Sequence, residues 1–233
     1  MRWAEMDRYL PHERPAPSPQ AYRWLFHAIG VLHRTLRAYE LHVPRPYWTT
    51  YGPPTTLLRW LPTLQTAVQG DQESEAMAHR VHRLVAQFRR QWIPATHLPR
   101  HLIHGDMRLG NICRDPHGTT LYLDFGFLAH RPRVYELGYS LAWMLLALDG
   151  CEDPASFRWE LVAELLQIYE EAAGVDLTPL EHEALGPCIV SVPLYQAAIC
   201  GFMRDPVADL RSDMRHSFLH LAEWVLAHPQ PWR

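Results

Sequence analysis

The stretch HGDMRLGN, His104 to Asn111, puts a carboxylate and a carboxamide five residues apart in one short loop, and Asp124 follows at the end of the apolar run Leu121-Tyr122-Leu123. Phosphoryl transfer asks for such a set: a carboxylate that orients an attacking hydroxyl and takes its proton, and hard oxygen ligands that hold a divalent cation against phosphate. Asp106 is the candidate base. Asn111 and Asp124 are the candidate metal ligands, Asp124 the stronger of the two. His104 and Arg108 lie in the same loop as further candidate catalytic residues. An HGD or a DFG triplet arises alone by accident, but H-G-D-x-x-x-x-N, then a hairpin turn, then D-F-G, with a strand-like run before each, is a specific combination. Asn111 is also the single asparagine of the chain.

The elements that must position these residues read as a mainly α (α+β) chain with a short β insertion. Ser18 and Pro19 make an N-cap and first-turn pair, and Tyr22, Leu25, Phe26, Ile29, Leu32 and Leu36 behind them form one apolar stripe. Met77, Val81, Leu84, Val85 and Phe88 predict a second amphipathic helix over about Glu73 to Trp92. The Pro-rich run 43–54 between them reads as an irregular connection. HLIHG and TLYLDF predict two short strands, with Pro116, His117 and Gly118 as the turn. Beyond them the pattern is helical: Tyr135 to Leu148, Asp153 to Gly174, a helix opened by the capping box Thr178 to Glu181 and kinked at Pro187 and Pro193, and Val207 to Ala227. No repeat, low-complexity tract or Gly/Ser linker appears, so a single domain over 1–233 is expected.

Composition narrows the function classes. At 233 residues, 48% hydrophobic and net charge -3, the chain can bury one substantial core. No uninterrupted apolar run reaches the roughly 18 residues of a membrane span, and the N-terminus has no apolar signal core, so no membrane and a cytoplasmic protein are expected. The four cysteines show no CxxC spacing, and the histidines outside the motif form no HExxH, so structural or surface roles are expected for them. The arginines are dispersed, which argues against nucleic acid. Charge divides unevenly: residues 1–150 carry 17 Arg and 12 acids (+5), and residues 151–233 carry 5 Arg and 13 acids (-8). An acidic C-terminal third, including Asp209 and Asp213, could face a cationic substrate or merely be a solvated helix surface.

On HGDMRLGN and DFG the sequence resembles the aminoglycoside phosphotransferase and choline/homoserine kinase superfamily, relatives of the protein kinases. The resemblance implies a kinase-like C-lobe over about residues 18–227, with Asp106 as catalytic Asp, Asn111 and Asp124 as magnesium ligands, and ATP or GTP as cofactor with Ile112 and Leu123 on the nucleotide side. Arg108 falls where protein kinases carry a phosphate-contacting Lys. Glu136, where the family usually has Asp, would brace the catalytic loop. The family's N-lobe would be absent, with residues 1–17 as a hinge-like segment. Independently, every basic residue among the 22 counted is Arg, so the chain has no lysine to hold phosphates. Two function classes therefore stand side by side: a reduced-form kinase acting on a small-molecule alcohol, cationic if the acidic third lines its pocket, and a catalytically inactive binding or regulatory module. Hydrolysis by a metal-activated water, or a start at an internal methionine of a longer protein, are the lesser alternatives. Apolar area around Ile112, Leu121 and Leu123 is costly to leave wet, so either segment 1–17 or a second copy or partner chain is expected to cover it.

Overall fold

A computed structural model describes residues 12–39, 49–151 and 153–232. Three helices precede the motif: α1 (Pro19–Leu36), α2 (Pro54–Ala67) and α3 (Gln72–Gln91). Strands β1 (Arg100–Ile103), β2 (Ile112–Arg114), β3 (Thr120–Tyr122) and β4 (Ala129–Pro132) carry it, and α4 (Arg133–Asp149), α5 (Glu160–Ala173), α6 (Pro179–Ala198), α7 (Pro206–Leu210) and α8 (Asp213–Ala227) follow.

Local chemistry accounts for most helix ends. The Ser18 hydroxyl accepts from Ala21 N at the start of α1, with Pro19 in the first turn. Asp71 caps α3 in the same way, and the Thr178/Glu181 capping box opens α6 with both reciprocal bonds formed. α6 runs through Pro187 and Pro193 as one continuous helix. Gly150 and Gly174, both left-handed, end α4 and α5.

Three expectations are corrected and one element is added. The added element is α2, for which no reading was made; the first half of the Pro-rich run before it, 43–48, lies outside the described residues. The helix begins at Pro54, and Leu57, Leu61 and Leu64 bury its inner face. HLIHG and TLYLDF do not pair with each other. β1 pairs antiparallel with β4, and the turn at Pro116 to Gly118 joins β2 to β3, giving two two-stranded sheets. α5 starts at Glu160 rather than at Asp153, where only a turn forms. The last predicted helix is split into α7 and α8 around Ser212, whose hydroxyl donates back to the Asp209 carbonyl at 2.8 Å.

One contiguous core runs through all the long helices, with α1 against α5, α4 against α6, and α6 against α8. α6 is apolar nearly all round. Together with the turn after it, Pro179–Phe202 is long and apolar enough to cross a bilayer by length and composition, contrary to the sequence expectation, and 78% of its most apolar window is buried inside the protein. All four cysteines are buried and unpaired. Of the N-terminal segment expected as a cover, residues 1–11 lie outside the described residues. Glu13 pairs with Arg114 through two main-chain bonds of 2.9 and 3.1 Å, so the described part runs along the outer edge of β2.

α4 and α6 approach closely at Gly138, where an added Cβ would stand 2.5 Å from Cys188 Cβ and 2.8 Å from its carbonyl carbon. A main-chain neighbour on a packed helix cannot give way cheaply. Gly138→Ala is therefore expected to lower the unfolding free energy by about 2 kcal/mol or more, read from the midpoint of a urea titration.

Candidate active site

One face of α4 holds the loop 104–107. Glu136, wholly buried, accepts the main-chain N–H groups of His104 (3.2 Å) and Gly105 (2.5 Å). Three residues on, Tyr139 donates its phenol to Asp106 Oδ1, and beside it Ser140 donates to the Met107 carbonyl at 2.7 Å. The i, i+3, i+4 spacing places these three side chains on one stripe. From the other side Thr50 Oγ1 donates to the Gly105 carbonyl at 2.6 Å. The helix is itself pinned at its first residue. Arg133 meets Glu181 with two nitrogens, at 2.6 and 2.9 Å, and also donates to the Asp176 carbonyl at 2.7 Å.

Burying the Glu136 charge requires compensation. His33 Nε2 on α1 lies 2.6 Å from Glu136 Oε2, and the other ring nitrogen lies 3.1 Å from the Tyr169 hydroxyl on α5. Burial pushes the Glu136 pKa up. The hydrogen bond and attraction of His33, with His104 and the Gly105 N–H, outweigh that and hold it below the ordinary carboxylate value.

Asp106 is 5% exposed, and both its carboxylate oxygens are engaged. Oδ1 takes the Tyr139 phenol and has Arg108 Nε at 3.7 Å; Oδ2 takes Asn111 Nδ2 at 2.8 Å. The same Nδ2 also donates to the Asp106 carbonyl at 2.7 Å. Since both of these partners are acceptors, the amide must turn its nitrogen to Asp106, which leaves its oxygen as the group available to a cation. Burial raises the Asp106 pKa; Tyr139, Arg108 and Asn111 pull it down without cancelling the rise.

Asp124 is exposed and holds a left-handed backbone, φ 60° and ψ 64°, which is uncommon for a residue with a side chain and is a kind of strain that gathers at functional sites. The residue before it is tied to both ends of the loop. Leu123 N donates to the Asn111 carbonyl at 3.0 Å, and the Leu123 carbonyl accepts from His104 Nε2 at 2.8 Å. His104 Nδ1 accepts the Asp106 N–H at 3.3 Å, which leaves Nε2 as the nitrogen that donates to the Leu123 carbonyl.

The expected residues thus fall into different places. Asp106 and Asn111 are in direct contact, and Asp124 is joined to them through Leu123. His104, read as catalytic, has both ring nitrogens engaged by the main chain, so it braces the two halves of the motif. Arg108 stands at the rim with 46% of its side chain exposed and its guanidinium 5.7 Å from the Trp143 ring centre. Ile112, expected on the nucleotide side, has no exposed surface and belongs to the main core; Leu123 is half-buried. Among the described residues no three His, Cys, Asp or Glu side chains gather as a metal site. The donors the motif does offer, an amide oxygen and a carboxylate, are all oxygen and suit magnesium or calcium completed by water and phosphate, not zinc. Sequence reasoning missed Tyr139, Ser140, Thr50 and His33. The spacing of Glu136, Tyr139 and Ser140 was the one available signal.

Replacing Glu136 with Ala leaves two buried N–H groups and His33 without their acceptor, and is expected to cost about 3 kcal/mol in chemical denaturation. The Glu136 contribution is complete above its ordinary pKa of 4.5 and is lost as pH falls through the lower folded value. Stability followed against pH should therefore show an acid limb that Glu136→Ala makes shallower; an unchanged limb would remove Glu136 from the account.

Residues 2–181 match the family model described as phosphotransferase enzyme family. No curated protein matches the chain. Among solved structures it is similar to an aminoglycoside phosphotransferase from Alicyclobacillus acidocaldarius (14% identity, TM-score 0.61), over 94% of this chain and 70% of that one. It is also similar to an amicoumacin kinase solved with AMP-PNP, Ca2+ and Ami (14%, 0.59, 95% and 64%), and to Plasmodium vivax ethanolamine kinase (12%, 0.55, 91% and 62%). The chain spans less than two thirds of the length of the latter two. These likenesses show a mainly α, kinase-like fold.

Proposed function

The chain belongs to the phosphotransferase enzyme family, and from that premise we propose that it transfers the terminal phosphoryl group of ATP or GTP to a hydroxyl of a small molecule. The observation that carries the reading is the double hold of Asn111 Nδ2 on the Asp106 carbonyl and carboxylate, which makes base and candidate metal ligand one rigid unit. Positioning and electrostatics supply most of the catalysis of phosphoryl transfer, so rigidity is what such a site needs. Asp106 accepts the proton of the acceptor hydroxyl as it attacks, and its raised pKa strengthens it as a base. Tyr139 and Asn111 fix the direction of that carboxylate. Arg108, partly exposed beside it, meets negative charge on the transferred group. Asn111 and Asp124 would hold magnesium, which when bound supplies positive charge against the phosphates.

The acceptor in this reading is a small alcohol. A cationic one has only partial support from the acidic C-terminal third, because Glu164, Glu181 and Glu223 are already paired with Arg23, Arg133 and Arg80. The absence of lysine supports a nucleotide site whose other face comes from a second copy or a partner chain. The same absence also favours the alternative of a non-catalytic binding module.

Release or transfer of label from ATP labelled at the γ-phosphate, measured with magnesium and a panel of small alcohols, separates these readings. The kinase reading expects turnover that Asp106→Asn lowers by at least about 100-fold; label loss that is absent, or indifferent to Asp106, leaves the binding module. Tyr139→Phe removes a donor that favours the charged carboxylate, so the Asp106 pKa should rise further. Because the base must be ionised, the low-pH fall of kcat should then move upward by about one pH unit.

A further inference from the structure

Behind the loop 104–107 lies a cavity of about 510 Å³ that the phosphotransferase reading does not use. Tyr51, Trp92 and Tyr135 form its aromatic walls, and Arg100 and Arg131 supply its charge. No residue of 104–111 lines it, nor does Asp124. The two sites stand back to back. Tyr135 faces the cavity where the next residue, Glu136, faces the loop, and Thr49 and Tyr51 line the cavity on either side of Thr50, which bonds Gly105.

We infer that this cavity binds a small aromatic carboxylate. The rings are already arranged to receive a flat group: Tyr51 and Tyr135 meet edge to face at 5.1 Å, and Trp92 and Tyr135 are tilted at 5.2 Å. Among the described residues the lining holds two arginines and no carboxylate. Arg131 donates to the Tyr51 hydroxyl at 3.2 Å and lies over its ring at 5.4 Å; Arg100 donates to the His130 carbonyl at 3.1 Å. A guanidinium has five N–H donors in a planar fork that matches a carboxylate, so each retains donors after these contacts. Arg23, Arg80, Arg133 and Arg211 instead meet carboxylates of this same chain. A cavity of this size, mostly apolar with a few convergent cationic groups, is the ordinary form of a small-molecule site. The inference stands whether or not the chain transfers phosphate.

Sodium 1-naphthoate is a suitable probe, titrated calorimetrically, with the uncharged 1-naphthamide of the same shape beside it. Naphthoate is expected to bind the native chain with a Kd below about a millimolar, the amide at least about tenfold more weakly, and Arg131→Gln should weaken naphthoate by a similar factor. Arg100→Gln, at an exposed position, provides the same comparison should Arg131→Gln fail to fold. Asp106→Asn should leave naphthoate binding unchanged. No heat at ten-millimolar naphthoate, equal binding of acid and amide, indifference to both arginines, or loss of binding in Asp106→Asn would each overturn the inference.

Discussion

The buried carboxylate of Glu136 is the constraint on which the rest of the site depends. A charge with no exposed surface persists only where several donors converge on it, and those donors come from two parts of the chain: His33 of α1 and the consecutive main-chain N–H groups of His104 and Gly105. Meeting the electrostatic demand of one side chain thus fixes the start of the loop 104–107 against a helix. Tyr139 and Ser140 extend the same hold to Asp106 and Met107. His104 then passes it across to Leu123, and so to the strained backbone of Asp124. Precision at the site follows from the packing of α4 rather than from the loop.

This chain of dependence explains which parts could be read from residues alone. Asp106, Asn111 and Asp124 are legible because their functional groups lie close in sequence and their types suit one chemistry. The starts of α1 and α6 are legible because capping is local, resting on Ser18 and on Thr178 with Glu181. Tyr139 and His33 are hidden because each looks like an ordinary helix residue until the partner is known, and the partner of His33 is 103 residues away. Two proline signals misled in opposite ways. Pro54 suggested a break but starts α2, where its missing N–H costs nothing. Asp153 with Pro154 suggested a helix start but forms only a turn ahead of Trp159. β4 has a proline at its end and little β-branched character, so the pairing of β1 with it was decided by tertiary contact.

The same geometry bears on the missing lysine. The half of the proposed site that would take the acceptor proton and hold the metal is assembled on α4 and the strands β1 to β3, and needs no lysine for its own integrity. On the proposed reading, holding nucleotide phosphates is a separate task for positive charge, one that would fall to arginine and magnesium or to another chain. An intact lower half therefore does not by itself imply turnover; on the proposed reading it predicts magnesium-assisted nucleotide binding.

Calorimetric titration of the purified chain with ATP, with and without magnesium and alongside Asp124→Ala, tests that most directly. Heat of binding that requires magnesium and disappears in Asp124→Ala is the predicted result. No binding at millimolar ATP with magnesium present, or binding that neither magnesium nor Asp124 affects, would contradict the account.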